Sequence, residues 1–338
     1  MRIAIAGVGV MGQLHLKNCL GHPGAKIVAL ADLDADRRLG RLTTSEGNLN
    51  LLSSQAMELG QIQSFDDYRP LCRADGIDAV WVCLPTDLHA DASILALQNG
   101  KHVFCEKPMA LTTKDGRRML QAARRNERKL MIGHVLRFWP TYVAAGQIIQ
   151  SGRHGKAIAA SFTRCGGWMG RWFTDFPRSG GVPMDLHIHD ADTCVWWWGK
   201  PASIDASAVF HNGCPSILHS RWQYPGGPAV TFESSWECIK PVPFFYSFKV
   251  TMQKATLLFD SRNDQGLVLA DENGRTKIEL DSASGYEIED SYFLDSAASG
   301  RPLDRCPPES SLITLECMGK TLKQVCRRSS RPLPDTLG

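Results

Sequence analysis

The chain has 338 residues, 43% hydrophobic and 22% charged, a balance that excludes disordered and fibrous classes and allows about two globular domains. Its net charge of +3 gives no nucleic-acid footprint, and no segment reaches the apolar length of a membrane span, so the expected partner is a small molecule. The eleven cysteines are odd in number and contain no C-x-x-C, which fits reduced thiols in a cytoplasmic protein better than a disulfide framework or a zinc ribbon.

From the N-terminus, MRIAIAGVGVMG places an apolar β-type run before glycines at Gly7, Gly9 and Gly12, and a helix-compatible MGQLHLKNCL follows. That order is a Rossmann βα turn, not a secretory leader. Further strands are predicted at 26–31, 79–84, 102–105 and 129–132, with helical patterns such as LHADASILALQNG and TTKDGRRMLQAARRNE between most of them. Alternating β and α elements predict a parallel, doubly wound sheet over residues 1–133. After residue 134 a helix over PTYVAAGQIIQSG precedes strand candidates near 156–165, 203–211, 216–223, 228–237, 246–252, 255–259, 266–270 and 275–280. Helices over YEIEDSYFLDSAASG and SSLITLECMGKTLKQVC and a loose or draped tail complete the chain. The fold class is therefore an α/β Rossmann domain, 1–133, plus an α+β domain, 134–338, with a large, mostly antiparallel open sheet. One face of that sheet is expected to expose apolar area that another subunit would cover, giving a homodimer or homotetramer.

The glycines of G-V-G-V-M-G permit a tight turn, close approach of backbone to a pyrophosphate and helix-on-strand packing, with phosphates at the helix N-terminus. Gly7, Gly9, Val10, Met11 and Gly12 are thus cofactor candidates, and Asp32, twenty residues after Gly12, can accept the adenosine ribose hydroxyls. The same carboxylate favours NAD over NADP, while Arg37 and Arg38 leave NADP open. Strand 79–84 ends at Leu84, Pro85 and Thr86 at the carboxyl edge of the sheet, where ligands sit, and His89 follows. The next strand closes on FCEKPM, whose acid and base, Glu106 and Lys107, stop the strand at the same edge, and a lysine there can donate to a substrate hydroxyl.

The second chemical stretch is GGVPMDLHIHDADTCVWWWG, residues 180–199. A helix beginning near Pro183 would stack Asp185, His189 and Asp192 on one face and turn His187 away. An imidazole, with an ordinary pKa of about 6.5, suits proton removal from an alcohol. Helical geometry splits the two histidines and nothing completes a tetrahedral set, so no metal is expected.

G-V-G-V-M-G, Asp32, G-K-H-V-F-C-E-K-P and G-G-V-P-M-D-L-H-I-H-D, in that order, resemble the Gfo/Idh/MocA family of oxidoreductases over nearly the whole chain. The resemblance, to inositol dehydrogenase and glucose-fructose oxidoreductase types, implies NAD-dependent hydride transfer on a secondary alcohol of a sugar, polyol or inositol-like substrate. It makes Lys107 catalytic, often with a cis peptide before Pro108, His189 the general base and Asp185 its assistant. It also brings Arg137 of GHVLRFWPTY towards the nicotinamide. Trp168, Arg171, Trp172 and Asp175 of the glycine-rich loop could line a sugar face, Trp196 to Trp198 read as core or interface, and the region from Asp34 to Gly60 is longer than is usual for the family. Two alternatives share the scaffold: an enzyme that retains NAD to cleave or epimerise a sugar, and a non-catalytic NAD-sensing regulator.

Overall fold

Buried β-branched and small residues in Arg2–Ala6 nucleate a sheet whose strands are covered on both faces, as near-continuous apolar runs require. In chain order its elements are β1 (Arg2–Ala6), α1 (Val10–Gly21), β2 (Lys26–Ala31), α2 (Ala35–Arg38), β3 (Gln63–Phe65), α3 (Tyr68–Arg73), β4 (Ala79–Val82), α4 (Thr86–Gln98), β5 (His102–Glu106), α5 (Thr113–Arg125) and β6 (Leu130–Gly133). The computed structural model describes residues 1–39, 62–167 and 170–338. All pairings in this sheet are parallel, in the order β3-β2-β1-β4-β5-β6, so the strand order reverses between β1 and β4 and opens a ligand crevice at their carboxyl ends. Helix caps follow the sequence: Thr112 accepts from Asp115 N at the start of α5, and Asp34 accepts from the N–H groups of Asp36 and Arg37 at α2.

The second group of elements is α6 (Pro140–Gln150), β7 (Ala157–Cys165), α7 (Phe176–Ser179), a π-helical turn (Pro183–His187), α8 (Ile188–Trp198), β8 (Ser203–His211), β9 (Cys214–Gln223), β10 (Ala229–Ser235), β11 (Phe245–Met252), β12 (Ala255–Asp260), β13 (Val268–Asp271) and β14 (Gly274–Lys277). They form one sheet in the order β14-β13-β12-β11-β7-β10-β9-β8, antiparallel throughout except for β7 beside β10. Its inner face packs Phe248 against Tyr142 of α6 at 5.1 Å, Phe162 against Trp197 at 6.0 Å and Phe232 against His187 at 4.8 Å, measured between ring centres. Gly146 makes the α6 contact possible, because a methyl group there would lie 2.6 Å from Trp197 Nε1. The outer face is mixed in character: the row Val209, Ile217, Ser235, Cys165 and Phe245 is mostly apolar, with Val209 exposed, and the rows beside it are mostly polar. One row across it reads Ser207, His219, Glu233, Thr163, Ser247 and Asp260, and the next reads Asp205, Arg221, Thr231, Ser161, Lys249 and Leu258.

Two helices end the chain, α9 (Gly285–Ser299) and α10 (Pro308–Arg328). The tail is draped: Leu337 is buried, and Thr336 Oγ1 donates to Pro177 O at 2.6 Å. The chain divides into two units, Met1–Val135 with Gly285–Leu312 and Leu136–Ser284 with Ile313–Gly338. The expected contiguous division at 133/134 assigns α9 to the second domain, whereas α9 packs on α1 within the first unit. Among the described residues no helix is long and apolar enough to cross a membrane.

Candidate active site

The β1–α1 turn uses its three glycines differently. Gly7 has φ of +89°, in the left-handed region, and a methyl group there would lie 2.5 Å from Cys83 O. A methyl on Gly12 would lie 1.9 Å from Gly7 O, so only glycine lets α1 pack so close to the turn. A methyl on Gly9 would meet nothing within 4 Å, and Gly9 starts α1 with no side-chain cap. That space in front of the first-turn N–H groups is where a methyl would stand in the way of a diphosphate. Val10 and Met11 flank it, half-buried, and Gln13 Nε2 pins the turn through Val8 O at 3.0 Å. Asp32 follows β2, with Val8 N on Oδ2 at 2.7 Å and Asp34 N on Oδ1 at 2.9 Å. These bonds orient the carboxylate and leave lone pairs for ribose hydroxyls. Arg38 Nη1 donates to the carbonyls of Asp32 and Leu33, both at 3.1 Å, and Arg37 Nε lies 3.8 Å from Asp34. Most of the long segment after Asp34 lies outside the described residues.

At the neighbouring strand ends, Leu84 is half-buried, Pro85 exposed and Thr86 buried at the start of α4. From Val103 to Leu111 every side chain is buried except that of Lys107, and the peptide to Pro108 is cis. Lys107 thus leaves the packed core at the carboxyl end of β5.

In the second unit, the run from Gly181 to Val195 is buried at every position but two, Asp185 and His189. The π-helical turn carries Asp185, and α8 begins one residue before His189. His187 points the other way, 3.3 Å from Ser220 Oγ and 3.4 Å from Ser234 Oγ, and burial lowers its pKa to about 3. Asp190 receives Arg164 on both oxygens at 2.9 Å.

Residues 1–134 match the family described as an oxidoreductase family with an NAD-binding Rossmann fold, and residues 142–258 match the GFO/IDH/MocA C-terminal domain. The chain belongs to the GFO/IDH/MocA oxidoreductase family. It is 27% identical over 296 residues to an inositol 2-dehydrogenase of Rhizobium meliloti (strain 1021), spanning 85% of this chain and 80% of that protein. It is 32% identical over 201 residues to the scyllo-inositol 2-dehydrogenase (NAD(+)) of Bacillus subtilis (strain 168), 59% of this chain and 54% of the relative, little more than half its length. Among solved structures, levoglucosan dehydrogenase in complex with NADH shares the fold, with a TM-score of 0.83 at 16% identity over 97% of both chains.

As a GFO/IDH/MocA oxidoreductase, the chain uses several of its sequence candidates otherwise than expected. His89 is buried, with Nδ1 on Pro108 O at 2.8 Å and Nε2 on Leu84 O at 2.7 Å. The ring lies between the carbonyls of two loops and, as a neutral imidazole, donates to one of them. Burial depresses its pKa more than the two carbonyls restore it. Glu106 is buried too, with Oε1 2.9 Å from His15 Nε2 and Oε2 accepting Lys107 N at 3.0 Å, and is turned inward from the expected cofactor contact. Arg137 is buried and donates to both oxygens of Asp192, through Nε at 2.8 Å and Nη2 at 2.9 Å, while Thr314 Oγ1 adds a bond at 2.8 Å. Asp192 is thus held by Arg137 and Thr314, and two Arg137 donors are committed to anchoring α8. Trp168 and the Arg171 side chain lie outside the described residues; Trp172 and Asp175 both meet Arg178. Trp197 is core, while Trp196 and Trp198 are half-buried.

His15 and Asp290 were not evident as functional residues in the sequence. His15 stands on the expected face of an ordinary helix, and its partner lies 275 residues away. The only local signal was a histidine between Leu14 and Leu16 of α1, which reads first as a packed core residue.

Proposed function

We propose that this oxidoreductase moves a hydride between a secondary alcohol of a sugar, polyol or inositol-like ring and NAD, in either direction. The observation that carries the reading is the single half-exposed side chain, Lys107, leaving a buried run at the carboxyl end of β5, in the same parallel sheet as the open Gly9 cradle. Bound nicotinamide supplies the hydride acceptor. Lys107 orients and polarises the alcohol oxygen. His189 takes the hydroxyl proton, and Asp185, four residues earlier on the same segment, holds the imidazole ready. The relatives named inositol dehydrogenases support this substrate class. Asp32 favours NAD, and Arg38, bonded to the carbonyl of Asp32, is the group through which NADP use would arise.

We infer a cytoplasmic setting from eleven free thiols, nine of them buried, and a homodimer or homotetramer that would associate through the outer sheet face, where Val209, Ile217 and Phe245 are not buried. The decisive experiment is a panel of polyols, cyclitols and sugars read as NADH and NADPH absorbance. At least one should be oxidised by wild type, and His189→Ala should lower kcat by about two to four orders of magnitude with NADH affinity unchanged. A panel without turnover, or a His189→Ala variant within a few-fold of wild type, would overturn the reading. NAD consumed and regenerated with no net NADH would point to the retaining or epimerising alternative.

A further inference from the structure

Beneath the Lys107 turn lies a buried array that the proposed chemistry does not use. His15, on α1, is wholly buried between two carboxylates: Nε2 is 2.9 Å from Glu106 Oε1, and Nδ1 is 2.8 and 2.9 Å from the oxygens of Asp290 on α9. Asp290 also accepts from Trp81 Nε1 at 2.8 Å and from Asn18 Nδ2 at 2.9 Å. The free end of the array is the second Glu106 oxygen, which receives the backbone N–H of Lys107.

We propose that His15 and Asp290 are positioning residues for Lys107: the clamped ring fixes Glu106, and Glu106 fixes the Lys107 main chain against α1. A catalytic use of Lys107 rests on the function proposed above; the placement of its backbone does not. A neutral imidazole has one N–H and would leave one nitrogen facing a carboxylate lone pair to lone pair. The array therefore holds one more proton, either as imidazolium between two carboxylates or as a neutral ring beside one carboxylic acid, and in both states every bond is made. Burial alone would depress the imidazole pKa, but the Asp290 charge and the bonds from Asp290 and Glu106 carry it well above 6.5. Burial alone would raise the Glu106 pKa, and His15 and Lys107 hold it below the ordinary value.

Asp290 cannot swing without abandoning Trp81 and Asn18, so the array has one geometry. It also has a lever. His15 is five residues beyond Val10, about 8 Å along the same rigid helix whose first turn carries the Gly9 cradle. Phosphate-binding helix and Lys107 turn are thus tied by hydrogen bonds through the buried His15 and Glu106, where a misplacement of about 1 Å can lower a rate by about a hundredfold.

The test uses full-length protein and the variants His15→Gln and Asp290→Asn. Asp290→Asn keeps the volume and the acceptor for Trp81 while removing the charge and the oxygen that accepts from Asn18, so it serves if His15→Gln does not fold. Amide exchange resolved at Lys107, without cofactor, should lose at least about tenfold protection while the rest of β5 keeps its own. With an accepted substrate, kcat should fall about ten- to a hundredfold, with KM and NADH Kd within about threefold of wild type. In a Lys107→Met background, Asp290→Asn should cause no further loss, since the array acts through Lys107. Unchanged Lys107 protection, a kcat within about twofold of wild type, or an equal loss in the Lys107→Met background would each overturn the proposal. If wild type turns over nothing in the panel, the proposed function fails, and amide protection alone decides the positioning.

Discussion

At the scale of single residues, the two outer clashes of the glycine turn and its one open position separate folding from binding. Gly9 has φ of −72°, which alanine adopts freely, and a methyl there meets nothing. Gly9→Ala should keep the wild-type unfolding midpoint and weaken NADH by about tenfold or more, because the methyl occupies the phosphate approach. Gly12→Ala should lose at least about 1–3 kcal/mol of stability, because a methyl 1.9 Å from Gly7 O pushes α1 off its strand. Titration of NADH fluorescence beside thermal unfolding checks both; equal effects in the two variants would show that the turn does not divide its glycines this way. This motif was legible because its chemistry is local: turn, strand and helix are adjacent in sequence. The setting of His89 was not, since the carbonyls beside its two ring nitrogens, those of Leu84 and Pro108, belong to separate loops that only the tertiary fold brings to one ring.

At the scale of an element, the 183–198 segment shows how far periodicity reaches. The helical spacing separated His187 from His189 correctly, and the two do lie on buried and half-exposed sides. It did not foresee the π-helical turn, nor that Asp192 is taken by Arg137, 55 residues away. A 3.6-residue period gives directions around an axis; which neighbour waits in that direction depends on β9, β10 and α10. The buried direction has a measurable consequence. His187 faces two serine hydroxyls and the rings of Phe232 and Trp222, and its folded pKa is about 3 against 6.5 in the unfolded chain. A depressed folded pKa means the unfolded state binds the proton first. The contribution is fully present above pH 6.5 and is lost at up to about 1.4 kcal/mol per pH unit as pH falls towards 3. His187→Gln should therefore remove that part of the acid slope in denaturant midpoints between pH 6.5 and 4.5. Parallel slopes for wild type and variant would mean that His187 is not a source of acid lability.

For the whole molecule, composition and alternation revealed two sheets but not how the chain is shared between its units. The outer face of the second sheet is mixed, with rows of serine, threonine and charged residues beside the row of Val209, Ile217, Cys165 and Phe245, a pattern visible in sequence only once the register is known. The division was hidden for a related reason. The helix over Gly285–Ser299 was evident as a helix, yet nothing local says that it belongs with residues before 136. The structure supplies the cause. Asp290 is the acceptor for His15, Asn18 and Trp81, and Phe293, fully buried, meets Trp81 at 5.2 Å and Phe104 at 5.8 Å, edge to face. A fragment ending at residue 133 would keep every strand of the parallel sheet and lose these partners. Removing one partner of a buried ion pair costs about 3–5 kcal/mol, and removing a buried phenylalanine costs about as much again. Together they approach the whole stability of an ordinary domain, about 5–15 kcal/mol. Fragment 1–133 should accordingly show no cooperative unfolding and no NADH binding, whereas 1–133 joined through a flexible glycine-serine linker to 285–312 should regain both. Introducing Asp290→Ala into the joined fragment should remove most of that gain. Near-ultraviolet circular dichroism and NADH fluorescence read the three proteins, and a folded, NADH-binding 1–133 would show that α9 is an accessory to the first unit instead of a part of its core.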